Sequence, residues 1–342
     1  MDNNRFQQLI KLNLILVFLV IAAGSFVRMT GSGMGCPDWP KCFGYLIPPT
    51  ERVQLEWKPN HYYKKGQVII RKESLEVVKQ DFTSASEYQS HHWEPYTKHD
   101  YAQFNVYHTW IEFINRLLGA LAGLTTLALL VASSFFWSQS KRSFFLSLAI
   151  VLGMGFQAWL GKTVVDSNLL PMKITLHMGM ALVIVALLVG ILHISIQRPP
   201  LRIANKNFLG FTLFALLLSL LQIAMGTQVR QYVDQQMHQW QLLQPEKWLA
   251  NSPLIFYIHR SFSLLVLGVN GYLAWQLKKY RLHNPTIYWV MGCIGFEILT
   301  GIAMYYFDFP IASQPLHLVV AAVLFATQFY ILLQQQFIKL QT

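Results

Sequence analysis

The sequence predicts an all-α membrane protein of eight transmembrane helices, arranged as two parallel-repeat four-helix bundles. Three observations predict it. Apolar residues make up 54% of the 342-residue chain and charged residues only 13%, where a soluble domain carries about a quarter. Eight apolar stretches are long enough to cross a bilayer, which takes roughly 20 residues. The last four stretches echo the first four. Gly155-Phe156-Gln157-Ala158-Trp159-Leu160-Gly161 stands 22 residues ahead of His177, and Gly295-Phe296-Glu297-Ile298-Leu299-Thr300-Gly301 stands 22 ahead of His317, an offset of 140. Ile111–Arg116 matches Ile255–Arg260 at 144, and Gly24–Arg28 matches Gly226–Arg230 at 202. Self-similarity of this kind marks a duplicated unit.

The first span, 9–28, follows a basic start and ends at Arg28. It has the outline of a signal peptide, but its partner in the repeat is internal, so it is expected to stay and to span. The change of offset from 144 to 202 places 58 extra residues after it, in the one long polar region, 29–107. The second span, 108–134, carries His108, Glu112, Asn115 and Arg116 near its start. The third, 143–165, contains the first glycine-bounded string, and the fourth, 173–196, opens near His177. The fifth, 208–229, ends at Arg230; the sixth, 254–277, carries His259; the seventh, 286–307, contains the second string; the eighth, 314–336, opens near His317. Four spans per half make both halves enter the membrane in the same direction, related by an axis along its normal. The chain thus divides into 1–200, which includes the outer loop, and 201–342.

Short loops on one side hold Lys141, Arg142, Arg198, Arg202, Lys206, Lys278, Lys279 and Arg281, with Arg5, Lys11 and Lys339 toward the termini. The opposite short loops offer only Lys173 and Lys247, with Lys162 and Arg230 at helix ends. The positive-inside rule then puts both termini in the cytoplasm and the long loop outside. The net charge of +11 is accounted for mostly by this asymmetry. Its scatter along the chain gives no ground for nucleic-acid binding.

Histidine within a membrane helix is costly and marks a functional position. His259 and His317 fall at similar depth below the outer surface, as a pair suited to ligate one haem iron from both sides. The plainer alternative is that each bonds a neighbouring helix. In the first half His177 matches His317, but Asn115 stands where His259 stands in the second. His108 lies two turns further out on the face of Asn115, either as a displaced ligand or as a mark of the interface. Glu112 has Phe256 as its counterpart, and it shares the face of Asn115. It reads as a reactive carboxylate, as an ion pair with Arg116, or as both. The half with the carboxylate reads as the reactive one, and the half with two histidines as an electron-transfer centre. Arg28 and Arg230 are placed either to anchor haem propionates or to snorkel at the interface. Cys36 and Cys42, six apart in an oxidising compartment, read as a disulfide, structural or redox-active. Cys293 reads as packing, and His61, His91, His92 and His99 as solvated.

Arg28-Met29-Thr30-Gly31-Ser32-Gly33, the Cys36-Pro37-Asp38-Trp39-Pro40-Lys41-Cys42 loop, Glu112-Phe113 followed by Arg116, Gly161-Lys162-Thr163-Val164-Val165-Asp166 and the spaced histidines together resemble the haem A synthase family. The resemblance covers nearly all of the chain. It implies an eight-helix enzyme of the inner membrane that oxidises the C8 methyl group of haem O to a formyl group, giving haem A for terminal oxidases. It implies that His259 and His317 hold a haem b cofactor. It implies that haem O enters the N-terminal half, with His177 at a ligand position and Asn115, His108, Arg116 and Arg28 around it. Glu112 is then the essential carboxylate, and Cys36 and Cys42 the redox-sensitive pair. Haem O synthase, cytochrome oxidase assembly factors and a second copy of the chain are the implied partners. Asn115 departs from the family, which usually has histidine there. A dihaem b-type membrane cytochrome working with a quinol, and a transporter or haem-delivery membrane protein, are the rival readings.

Overall fold

A computed structural model describes residues 2–97, 104–167, 169–196, 201–203, 207–280 and 284–337. Of the residues used above, His99, Arg198, Lys206, Arg281 and Lys339 lie outside this set. Among the described residues eight helices are long and apolar enough to cross a membrane, so the chain is an all-α, multi-pass membrane protein.

Local chemistry sets the helix starts. Helix α1 (Asn3–Met29) begins where the Asp2 carboxylate accepts the Arg5 N–H at 2.7 Å, and α2 (Val106–Ser134) where Asn105 caps Tyr107 and His108. Ser140 caps α3 (Lys141–Asp166). These side-chain acceptors satisfy amides that have no partner in the first turn. Proline opens α4 (Pro171–Ile196) and immediately precedes α6 (Leu254–Lys279) and α7 (Thr286–Tyr306), where its missing N–H costs nothing. Helices α5 (Asn207–Gln239) and α8 (Ser313–Gln334) complete the set. The fifth helix runs well past the apolar stretch that predicts it: residues 230–239 are mostly polar and still helical.

Packing follows chain order. Helices α1, α2, α3 and α4 each touch the next, and α4 returns to α1; α5, α6, α7 and α8 do the same, with α8 returning to α5. The two rings meet along α1, α4, α5 and α8. An apolar cluster at this seam includes Ile10, Ile184, Leu188, Leu216 and Phe325. Lipid tails are as apolar as leucine, so polar bonds contribute to specificity here. Fully buried Asn13 donates to the Leu9 carbonyl at 2.8 Å and accepts from Thr125 at 3.1 Å, tying α1 to α2. Gln328 donates to Asn270 at 3.0 Å, tying α8 to α6.

The outer region after α1 forms a small β unit. Strands β2 (Val68–Arg71), β3 (Ser74–Val78) and β5 (Trp93–Pro95) make an antiparallel sheet, and β1 (Tyr62–Tyr63) pairs with β4 (Phe82–Thr83). Side chains alternate across the sheet: Val68 and Ile70 join Cys36, Cys42 and Phe43 in one core, while Ile69 joins Tyr63 and Trp93 in another. The hairpin turn places Lys72 and Glu73 at φ 50° and 58°, the mirror-image turn that matches strand twist. Just before α5 and just after α8, β6 (Leu201–Ile203) pairs in parallel with β7 (Gln335–Phe337).

Candidate functional site

His259 on α6 and His317 on α8 lie diagonally across the second ring. Their ring centres are 6.5 Å apart, with planes at 70°. An imidazole–metal bond is about 2 Å, and a ring centre lies about 1 Å behind its nitrogen, so two imidazoles on opposite faces of one ion stand about 6 Å apart. The observed spacing suits that arrangement. Gly226 on α5 sets the position of His259: a Cβ there would lie 3.1 Å from the ring carbon Cε1. Gln222 on the same helix donates to the His259 carbonyl at 2.9 Å, while His259 Nδ1 is buried without a hydrogen-bond partner.

The first ring repeats part of this. A Cβ at Gly161 on α3 would lie 3.4 Å from His177 Cε1, and one at Gly24 on α1 would lie 3.8 Å from Asn115 Oδ1. His177 Nδ1 and Asn115 Oδ1 are both buried without hydrogen-bond partners. Such groups are rare enough in proteins to need an explanation, and a place where a polar or metal-bearing group can bind is one. His108 sits at the outer end of α2, where a Cβ at Gly35 would lie 2.4 Å from its backbone carbonyl oxygen. Among the described residues no hydrogen bond or ring contact joins it to His177 or Asn115.

Glu112 is buried, 4% exposed, and both its oxygens are engaged. One accepts the Cys36 N–H at 2.8 Å and the other pairs with Arg116. The ion pair with Arg116 expected from the spacing is therefore present. Arg116 also donates to the carbonyl oxygens of Asp38 at 2.6 Å, Lys41 at 2.9 Å and Cys36 at 3.3 Å. Cys36 and Cys42 form a disulfide, so the ring it closes presents its carbonyls to Arg116 and an amide to Glu112. Thr109 donates to the Gly35 carbonyl at 2.8 Å, fixing the ring to α2. Within the ring, burial pushes the Asp38 carboxyl above its usual range, opposed by the Gly44 and Phe43 amides and by the Arg116 charge. Cys293 packs in the core of the second ring, and His92 stacks on Phe82 with centres 4.0 Å apart.

Arg28 and Arg230 come together although the sequence places them 202 residues apart. Both pair with Asp234: Arg28 directly, and Arg230 at 2.7 Å. Their side chains are 19% and 15% exposed, so they are held inward rather than snorkelling. Sequence reasoning missed Asp234, which lies in the polar extension of α5. It also assigned no role to Glu297 or Thr300, which stand 3.1 and 2.8 Å from His317 Nδ1. The signal for Glu297 was available: a carboxylate within a spanning helix is expensive, and this one faces a repeated histidine.

The family described as cytochrome oxidase assembly protein, COX15-CtaA, matches residues 7–88 and 55–329. Proteins named heme A synthase are similar along the chain. That of Flavobacterium psychrophilum is 21% identical over 343 residues, covering 93% of this chain and 94% of that protein. That of Ehrlichia canis is 23% identical over 350 residues, covering 95% and 91%. That of Shewanella oneidensis is 25% identical over 223 residues, covering 64% of this chain and 54% of that protein, so here the match spans about half of the relative's length.

Proposed function

Because the chain belongs to the haem A synthase family, we propose that it oxidises the C8 methyl group of haem O to a formyl group, giving haem A for terminal cytochrome oxidases. In the half formed by 201–342, His259 and His317 would hold a resident haem b, and Arg230 would meet one of its carboxylates. The half formed by 1–200 receives haem O at His177, with Asn115 opposite and Arg28 toward a propionate; His108 lies at the rim of that site. Both termini lie on the cytoplasmic side of a cell inner membrane, with the β unit outside.

The observation that carries this reading is the asymmetry of two otherwise matched rings. One has a facing histidine pair. The other has one histidine and an asparagine in place of the second, and its buried carboxylate, Glu112, is held by the disulfide ring, whereas the carboxylate beside the histidine pair, Glu297, lies against His317. A doubly held haem suits a permanent cofactor; a singly held one suits a molecule that must enter and leave. Two successive two-electron oxidations, each taking in the oxygen of one water and releasing two protons and two electrons to an acceptor outside the chain, take the methyl group to an alcohol and then to a gem-diol, which loses water to give the aldehyde. Glu112 stabilises positive charge developing on the methyl carbon. Arg116 and the Cys36 amide hold the carboxylate in place at the rim. Haem b, when bound, takes up electrons one at a time and passes them on.

Expression beside a source of haem O, followed by extraction and mass identification of the haems, tests this. The unaltered chain is expected to yield haem A. Glu112→Gln is expected to keep its bound haem b and to lower haem A formation about 100-fold or more. Recovery of haem O alone from the unaltered chain, with reversible quinol-linked reduction, would instead mark an electron-transfer cytochrome.

A further inference from the structure

We infer that Glu297, with Thr300, is a positioning residue that lowers the reduction potential of the haem held by His259 and His317, and that this makes the two sites electronically unequal. The inference deepens the reading of those histidines as an axial pair and rests on it. Thr300 Oγ1 lies 3.0 Å from the carbonyl oxygens of both Phe296 and Glu297 and 2.8 Å from His317 Nδ1. A hydroxyl has one proton. Donated to its own helix, as the two carbonyls favour, it leaves the oxygen to accept from His317 Nδ1–H. Glu297 Oε2 stands 3.1 Å from the same nitrogen, a second acceptor on one donor. That fixes the tautomer with its proton on Nδ1 and leaves Nε2 with the lone pair that a metal needs. The Glu297 side chain is only 16% exposed, so α7 spends a carboxyl group in the membrane close to this imidazole.

The repeat supplies an internal control. At the offset of 140, Glu297 corresponds to Gln157 and Thr300 to Leu160. Gln157 donates instead to the His177 backbone carbonyl at 3.0 Å, and His177 Nδ1 has no hydrogen-bond partner. One histidine therefore has a carboxyl oxygen and a hydroxyl behind it, and its counterpart has neither. An acceptor behind a ligating imidazole makes it more basic, and a more basic ligand favours the oxidised iron. Electrons delivered to the second ring then have a standing reason to move on to an outside acceptor.

Potentiometric titration of the purified protein with its haem b, followed by visible spectroscopy, tests the inference. Glu297→Gln is expected to keep the low-spin spectrum and to raise the reduced-to-oxidised ratio roughly tenfold at fixed ambient potential, about 59 mV for one electron. Glu297→Asp is expected to recover part of the shift. If Glu297→Gln fails to accumulate, Thr300→Val provides the second measurement and is expected to shift the potential in the same direction. An unchanged potential in whichever variant retains the haem overturns the inference while leaving the axial pair intact. A low-spin spectrum that survives His317→Ala overturns the axial pair itself.

Discussion

Gly226 shows how much of the site depends on one missing atom. A Cβ there would stand 3.1 Å from His259 Cε1, closer than comfortable packing, so the ring would have to yield by a few tenths of an ångström. Gly226→Ala should also improve the helix, since alanine is favoured over glycine in a helix interior by about 1 kcal/mol. The two effects separate cleanly. The variant is expected to unfold no more readily than the parent and to lose at least half of its bound haem, measured as haem per protein after purification. Full haem content would mean that His259 is not held where a ligand must be. At the same scale, His317→Ala is expected to abolish the low-spin signature of the second ring while leaving the eight helices intact by circular dichroism.

At the scale of elements, α2 and the disulfide ring act as one piece. Arg116 donates to three carbonyls of the ring, and Glu112 accepts one of its amides. Replacing Cys36 and Cys42 with serine removes a closed loop of seven residues, a loss of about 2 kcal/mol by loop entropy. The expected outcome is faster hydrogen exchange at residues 36–44, with α6 and α7 unaffected. Equal exchange rates would show that Arg116 alone holds the ring. The helices themselves were legible because lipid leaves long apolar runs few other structures; the second span, expected over 108–134, is Val106–Ser134. The fifth was cut short because hydropathy ends at Arg230, while hydrogen bonding carries the helix on to Gln239. The β unit went unread because its strands are two to five residues long and are held by contacts with the cysteine ring. The histidines and Glu112 stood out because polarity is conspicuous within apolar spans. Asp234 did not, since it lies among other polar residues and only the fold brings Arg28 to it.

At the scale of the whole molecule, Asp234 joins the two rings at the end where α1 finishes. Arg28 belongs to α1 and Arg230 to α5, and one carboxylate meets both. Asp234→Asn would leave two inward-held cations side by side. Because the carboxylate is about one-third exposed, the cost is discounted to roughly 1–2 kcal/mol. The expected result is a lower thermal midpoint in detergent, with unchanged circular dichroism at low temperature; an unchanged midpoint would mean that the apolar seam alone holds the rings together. Assembly order bears on the cysteine ring as well. Cys36 and Cys42 precede α2 in the chain, yet in the finished protein they are 0% and 1% exposed. A bond formed before α2 docks is thus sealed by it. Afterwards a dissolved reductant reaches the bond only as often as the outer β unit breathes open. Cleavage by such a reagent should therefore saturate with its concentration and report the rate of that breathing.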